Sequence, residues 1–289
     1  MSETVFGPLQ SRSTLARQSL NRLVMGISTL ASLGGIFALA WVLYEVILRG
    51  IGAFNWSFFT QLPAPPGMED GGLGSAILGT IMITVLATLI GVPIGLFGGV
   101  FLAEFGQRSR LSGPIRFVSN VLMGTPSIII GVFVYSIIVV PVGHFSGYAG
   151  AVALAVIMIP LIARTSEDIL NLVPDTLRES GLALGAARWK ITFDVIFREA
   201  KKGLITAVIL AVARVSGETA PLLFTSLNSP YWPKTMGRPT SNLTVTIFNY
   251  AMSPYSDWQQ MAWGASLLIT ASVLILTITA RYLLQSRKK

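Results

Sequence analysis

The sequence predicts an all-α, polytopic membrane protein with six transmembrane helices. Three observations carry that reading. Only 12% of the 289 residues are charged, where a soluble protein carries about 25%, so the charges are too few to cover a solvated surface. Apolar runs long enough to cross the hydrocarbon core, which takes about 20 residues, occur six times. The net charge of +8 comes from Lys and Arg placed between those runs, as membrane topology requires. Nucleic-acid binding would instead need them clustered on one solvated face with interleaved aromatics.

The runs extend from Leu23 to Leu48, Leu73 to Ala103, Phe117 to Val140, Tyr148 to Leu170, Leu204 to Ser226 and Met261 to Leu284. The second is too long for one straight span, and Gly91, Pro93, Gly95, Gly98 and Gly99 inside it predict a bend or interruption. In the third, Gly124-Thr125-Pro126-Ser127 predicts a kink, or a bend lining a pore, with Pro126 as a possible hinge. Ala38-Leu39-Ala40 after a basic N-terminus resembles a signal-peptidase site, but the run continues through Trp41, Val42 and Leu43, which favours a retained anchor.

Orientation follows from the basic residues, which cytoplasmic loops retain. With the N-terminus inside, the cytoplasmic segments hold Arg12, Arg17, Arg22, Arg108, Arg110, Arg116, Arg178, Arg188, Lys190, Arg198, Lys201, Lys202, Arg281, Arg287, Lys288 and Lys289. Arg49, Lys234 and Arg238 fall outside, a split of 16 against 3. Both termini are therefore expected in the cytoplasm. Arg164, Glu167 and Asp168, at the inner end of the fourth span, read as snorkelling or interfacial charges. The chain has no Cys and one His, His144. Disulfides and thiolate sites are thus excluded, and a histidine metal cluster or Ser/His/Asp catalysis has almost no material. The sequon Asn242-Leu243-Thr244 lacks a secretory context and reads as chance.

The segment 171–203 reads as a helical hairpin. Pro174 punctuates the exit from the fourth span, Thr176-Leu177-Arg178-Glu179 matches a capping box, and Gly185 would end or bend the helix. Ser180, Gly181, Ala183, Gly185, Ala186 and Ala187 keep the turn small, so that another protein could approach the backbone. An amphipathic hairpin on the headgroup surface explains the residues alone equally well.

Glu179-Ser180-Gly181 followed by Gly185 resembles the EAA loop of binding-protein-dependent ABC permeases, with Ser180 and Gly181 replacing the two alanines. Val173-Pro174-Asp175, Arg178-Glu179, Ala183-Leu184-Gly185, Ala213-Arg214 and Gly217-Glu218-Thr219-Ala220-Pro221-Leu222-Leu223-Phe224 are similar to the phosphate permeases of that family. Val245-Thr246-Ile247-Phe248, Ala251-Met252-Ser253-Pro254 and Trp258-Gln259-Gln260 extend the likeness.

The resemblance implies a type I ABC importer permease-like bundle in a bacterial inner membrane. It divides the chain into a cytoplasmic segment 1–22, a first helix 23–48, a core permease domain 73–284 with five transmembrane helices, and a basic tail 285–289. Glu179, Ser180, Gly181, Gly185 and Ala186 would couple to an ATPase. The implied partners are a homologous permease subunit, two ATP-binding subunits, a periplasmic phosphate-binding protein and the lipid bilayer, with no nucleic acid. No cofactor is expected on this chain; ATP and Mg belong to the partners, since no G-x-x-x-x-G-K-[ST] occurs. The external loop from Leu227 to Gln260 reads as an interfacial anchor or as part of the docking surface for the binding protein.

Arg214 and Glu218 lie four residues apart in the fifth run, hence on one face if the helix is continuous. Each costs about 2.5–3.5 kcal/mol at a helix centre, while each Leu, Ile, Val or Phe returns about 0.3–0.6 kcal/mol. The ten such residues between Leu204 and Phe224 barely offset the pair. That face therefore needs a partner or a water-lined path. Two readings stand: an ion pair that fixes packing, or an anion path in which Glu218 occupies Arg214 at rest and then frees it for phosphate. Pro221 on the next turn would permit a hinge. Molybdate or sulfate would ask similar things of an Arg. An ion-coupled secondary carrier would usually show inverted repeats, which are not seen, and an intramembrane enzyme would need a nucleophile that this pair does not offer.

Overall fold

The computed structural model describes residues 11–68, 71–106 and 109–284. Residues 1–10, Arg108 and the tail 285–289, with Arg287, Lys288 and Lys289, lie outside the described residues. Among the described residues every regular element is helical. The chain forms two compact units, 1–48 and 49–289. The first consists of helix α1 (Ser11–Gly50), whose last residues begin the second unit. From Leu23 to Val42 every side chain is exposed, and Thr29 and Ser32 turn their hydroxyls back to the carbonyls of Met25 and Ser28. A helix apolar on every side is one that lipid or other helices surround.

The second unit begins with α2 (Trp56–Thr60), capped by Asn55, and α3 (Gly74–Val100), which continues into a π-helical turn, Phe101–Phe105. Next come α4 (Ser112–Gly124), α5 (Ser127–Val134), a second π-turn (Tyr135–Val139) and α6 (Val140–Val142). Helix α7 (Gly147–Asn171) leads to the hairpin of α8 (Asp175–Ala183) and α9 (Arg188–Ile191), and a third π-turn (Thr192–Ile196) joins α10 (Phe197–Ser216). Helices α11 (Ala220–Leu223), α12 (Leu243–Ala251) and α13 (Ser256–Leu284) complete the fold.

Among the described residues four stretches are long and apolar enough to cross a membrane: Arg17–Ala53, Gly74–Phe105, Gly147–Asn171 and Ser256–Tyr282. They correspond to the first, second, fourth and sixth predicted spans. The other two are not continuous helices. In the third, α4 and the helix after it meet at 107°. Pro126 forces the preceding Thr125 out of the helical region, to φ −78°, ψ 133°, and Thr125 Oγ1 donates to Val121 O at 2.7 Å. This is a break, larger than an ordinary kink. The helix that carries the fifth run, α10, stops at Ser216 inside the run, and its N-terminal turns carry Arg198, Glu199, Lys201 and Lys202.

The glycines of the second run do not interrupt it, since α3 passes through Gly91, Pro93, Gly95 and Gly99 without a break. Residues four apart share a helix face, and here they form a contact seam. A Cβ added at Gly91 would press on Met158, at Gly95 on Ile162, and at Gly99 on Ser166, again a series with a spacing of four, on α7. Small residues let two membrane helices approach backbone to backbone. The main core grows from this seam, with Ile83, Leu154, Met158, Ile162, Val215 and Leu222 buried in it. Gly95→Leu is expected to push the helices apart at an overpacking cost of about 1–3 kcal/mol, read as a lower thermal unfolding midpoint in detergent.

Candidate functional site

Two regions collect the polar chemistry. The first surrounds the end of α10, where Gly217 caps the helix with φ −96°, ψ 0°. Arg214 sits in the last helical turn and Glu218 in the non-helical link to α11, so they do not share a continuous helix face. Among the described residues no ion pair joins them. The mutual pair expected from their spacing is therefore absent from this structure. Arg214 lies on an exposed stripe of α10 with Leu210 and Gly217, which points away from this subunit's core. Pro221 begins a new short helix, where a missing N–H is tolerated, and does not bend an existing one. It is buried, and a Cβ at Gly131 of α5 would lie 2.5 Å from Pro221 Cα. The half-span after the Pro126 break thus packs on the turn after the Gly217 break.

A buried polar knot fixes this link. Asn242 caps α12: its Oδ1 accepts from Val245 N at 2.9 Å and its Nδ2 donates to Ser226 Oγ at 3.0 Å. Thr244 Oγ1 donates to Glu218 O at 2.8 Å, and Leu243 N donates to Thr80 Oγ1 of α3 at 2.8 Å. Thr225, Ser226, Thr240, Ser241 and Asn242 are all buried. The stretch near Val245, expected at a membrane interface or a docking surface, is instead a core helix with Leu243, Val245 and Tyr250 inside. Asn242 is 1% exposed and cannot accept a glycan. Its position ahead of an apolar run was a helix N-cap signal that the sequon reading passed over.

The second region lies at the 171–203 end. The helix there starts two residues earlier than the capping box predicts: Pro174 is the N-cap, no side chain caps it, and Thr176 O accepts from Ser180 Oγ at 2.7 Å. Gly185 takes φ +76°, where glycine alone is unstrained, and Ala186 N donates to Gly181 O at 3.2 Å. Gly181 is small because Ile191 of this same chain packs on it, at 2.8 Å from an added Cβ. Glu179, Ser180 and Gly185 are exposed, and Gly181 and Ala186 half-buried. Leu172, Leu177, Leu182, Leu184 and Trp189 are exposed beside them. Polar and large apolar side chains thus share one uncovered surface, the kind that marks an interaction site.

Beneath that surface are two ionic clusters. Glu167 is buried, not snorkelling, and accepts from Arg116 Nε at 2.8 Å and from Arg164 Nη1. Arg116 Nη2 also reaches Leu102 O at 3.4 Å. Glu104, in the π-turn after α3, is 3% exposed and accepts from Arg178 Nε and Nη2 at 3.0 and 2.8 Å. Arg178 also donates to Val173 O at 2.6 Å, Leu170 O at 2.8 Å and Asp175 Oδ1 at 3.0 Å. Burial alone would lower the guanidinium's proton affinity, but the Glu104 hydrogen bond and charge, then Asp175, carry it above its usual value. Among the described residues no three His, Asp or Glu side chains converge as metal ligands.

Residues 91–289 match the family described as binding-protein-dependent transport system inner membrane component. The phosphate transport system permease protein PstA of Haemophilus influenzae is 46% identical over 94% of this chain and 96% of its own length. The PstA of Yersinia pestis is 43% identical over 94% of this chain and 92% of its own length. Among solved structures, the inward-facing MetNI methionine ABC transporter aligns with a TM-score of 0.61 over 73% of this chain and 93% of its own, at 23% identity, a likeness of fold. With a family match over residues 91–289 and near full-length relatives above 40% identity, the chain belongs to the binding-protein-dependent transport system inner membrane component family.

Proposed function

We propose that this chain is a transmembrane permease subunit of an ATP-driven inorganic phosphate importer. The observation that carries the reading is its 41–46% identity, over 94% of its length, to several bacterial PstA permeases. The subunit forms half of the path, beside a homologous permease subunit. Two ATP-binding subunits engage the surface around Glu179, Ser180, Gly181, Gly185 and Ala186, and a periplasmic phosphate-binding protein delivers the ion from the other side. Both termini lie in the cytoplasm, as the distribution of Lys and Arg favours. Alternating access moves the bundle between outward-open and inward-open states.

Arg214 supplies the anion-binding group. Guanidinium remains charged when desolvated, and its planar fork matches phosphate oxygens. Its exposed face on this subunit is the one that a second permease subunit would cover, which would turn an exposed cation into one lining a path. Glu218 follows in the link after α10, with no ion pair to Arg214 among the described residues, and repulsion from its carboxylate would keep a phosphate dianion from settling there permanently.

Co-purification with the ATP-binding subunits, reconstitution in liposomes and measurement of ATP hydrolysis test the proposal. Hydrolysis stimulated by phosphate-loaded binding protein, with matching phosphate uptake, is the expected result. Stimulation by sulfate or molybdate in place of phosphate would reassign the anion. Uptake that persists without the ATP-binding subunits would point to a secondary carrier.

A further inference from the structure

We propose that the π-turn Phe101–Phe105 is the receiving element through which movement of the α8–α9 hairpin reaches α3, with Arg178 as the positioning residue. The inference rests on the reading of that hairpin as the ATPase-coupling element.

Two consecutive residues of the π-turn are held by the two helices of the hairpin. Glu104 takes the fork of Arg178 from α8. The ring of Phe105 lies 5.7 Å from the guanidinium carbon of Arg188 in α9, within the range of a cation–π contact. A π-turn inserts one residue into a helix and interrupts its ordinary hydrogen-bond register, a feature often found at functional sites. Here it lies where α3 leaves the glycine seam. Val100 and Ala103 are buried with Leu170, Val173, Ile191 and Ile196 in a small core under the hairpin, so the same turn also contributes apolar packing.

Arg178 is a junction and not a simple pair. Its side chain is 17% exposed, and its donors reach Glu104 after α3, the carbonyls of Leu170 in the last turn of α7 and Val173 just beyond it, and Asp175 in its own helix. The first turn of α8 therefore cannot shift without moving the ends of both α3 and α7 or leaving Glu104 buried and uncompensated. Lysine keeps the charge, but as a point donor it cannot hold this divided set of acceptors. A merely structural role would be satisfied by any replacement that restores packing without buried charge. A transmitting role would not.

The test uses the complete complex in liposomes, comparing the native chain with Arg178→Lys and with the double variant Glu104→Met, Arg178→Leu. Three quantities are read: thermal midpoint, subunit assembly, and phosphate transported per ATP hydrolysed. Coupling between sites commonly spans about 5- to 150-fold, so Arg178→Lys should lower the transport-to-hydrolysis ratio about tenfold or more in an assembled complex. The double variant should recover the native thermal midpoint but not the native ratio. An unchanged ratio in Arg178→Lys, or recovery of both quantities in the double variant, would overturn the inference while leaving the import reading intact. A native complex whose ATP hydrolysis ignores phosphate-loaded binding protein would overturn the import reading and this inference with it.

Discussion

Arg214→Gln is expected to abolish phosphate uptake while the subunit still inserts and assembles. The residue lies in the last turn of α10, exposed on this subunit and without an ion-pair partner among the described residues. Its removal therefore leaves no buried carboxylate orphaned and no core contact vacated. What is lost is a forked cation facing the proposed path. Hydrogen bonds to a charged group contribute about 1.5–3 kcal/mol each. With two lost, uptake should fall by at least about 100-fold at 1.4 kcal/mol per tenfold change. Glutamine keeps much of the length and a donor but not the charge, so membrane content and thermal midpoint should match those of the native chain. Uptake at the native rate by a correctly inserted variant would eliminate the residue as an anion contact.

The second large effect is expected at Gly79, and it concerns folding. A Cβ there falls within the van der Waals envelope of Ser241 O and also meets Thr240 Cγ2 at 3.0 Å. The carbonyl cannot retreat, because the loop carrying it is fixed on both sides. Thr240 N donates to Ser226 O at 3.0 Å, and Leu243 N to Thr80 Oγ1 one residue beyond Gly79. Gly79→Ala must therefore separate α3 from the polar knot and leave several buried donors and acceptors unmatched, at about 1–3 kcal/mol for each unsatisfied group. Little or no folded subunit should accumulate in membranes. Gly34→Ala, at a glycine in the middle of α1 with nothing within 4 Å of an added Cβ, is the matched control. It should leave accumulation unchanged and raise the thermal midpoint slightly, since glycine within a helix is destabilising by about 0.5–1 kcal/mol relative to alanine.

Hydropathy located α1, α3, α7 and α13 because lipid imposes a length and composition on any helix that crosses it. It did not reveal the two breaks, since residues that bend a chain need not be polar. At Thr125-Pro126 and at Gly217 the signal was local backbone chemistry, Pro acting on its predecessor and Gly closing a helix. Reading Arg214 and Glu218 as face-sharing neighbours assumed an unbroken helix, which is where that inference failed. Helix α12 was read as part of a loop because it has only nine residues, too few to span. Its capping Asn242 was the available clue. The Glu104–Arg178 junction joins positions 74 apart, and nothing in a single sequence marks two such residues as neighbours.

The seam of Gly91, Gly95 and Gly99 against α7 has a mechanical consequence. Where backbones touch with so little side chain between them, there is no soft layer to shear, and closely packed interfaces switch between discrete arrangements and do not deform gradually. The α3–α7 pair should act as a stiff beam through the transport cycle. Compliance is then left to the joint at Thr125-Pro126, where regular helical hydrogen bonding stops, and the opening and closing of the pore would turn on that joint folding against a frame that keeps its shape.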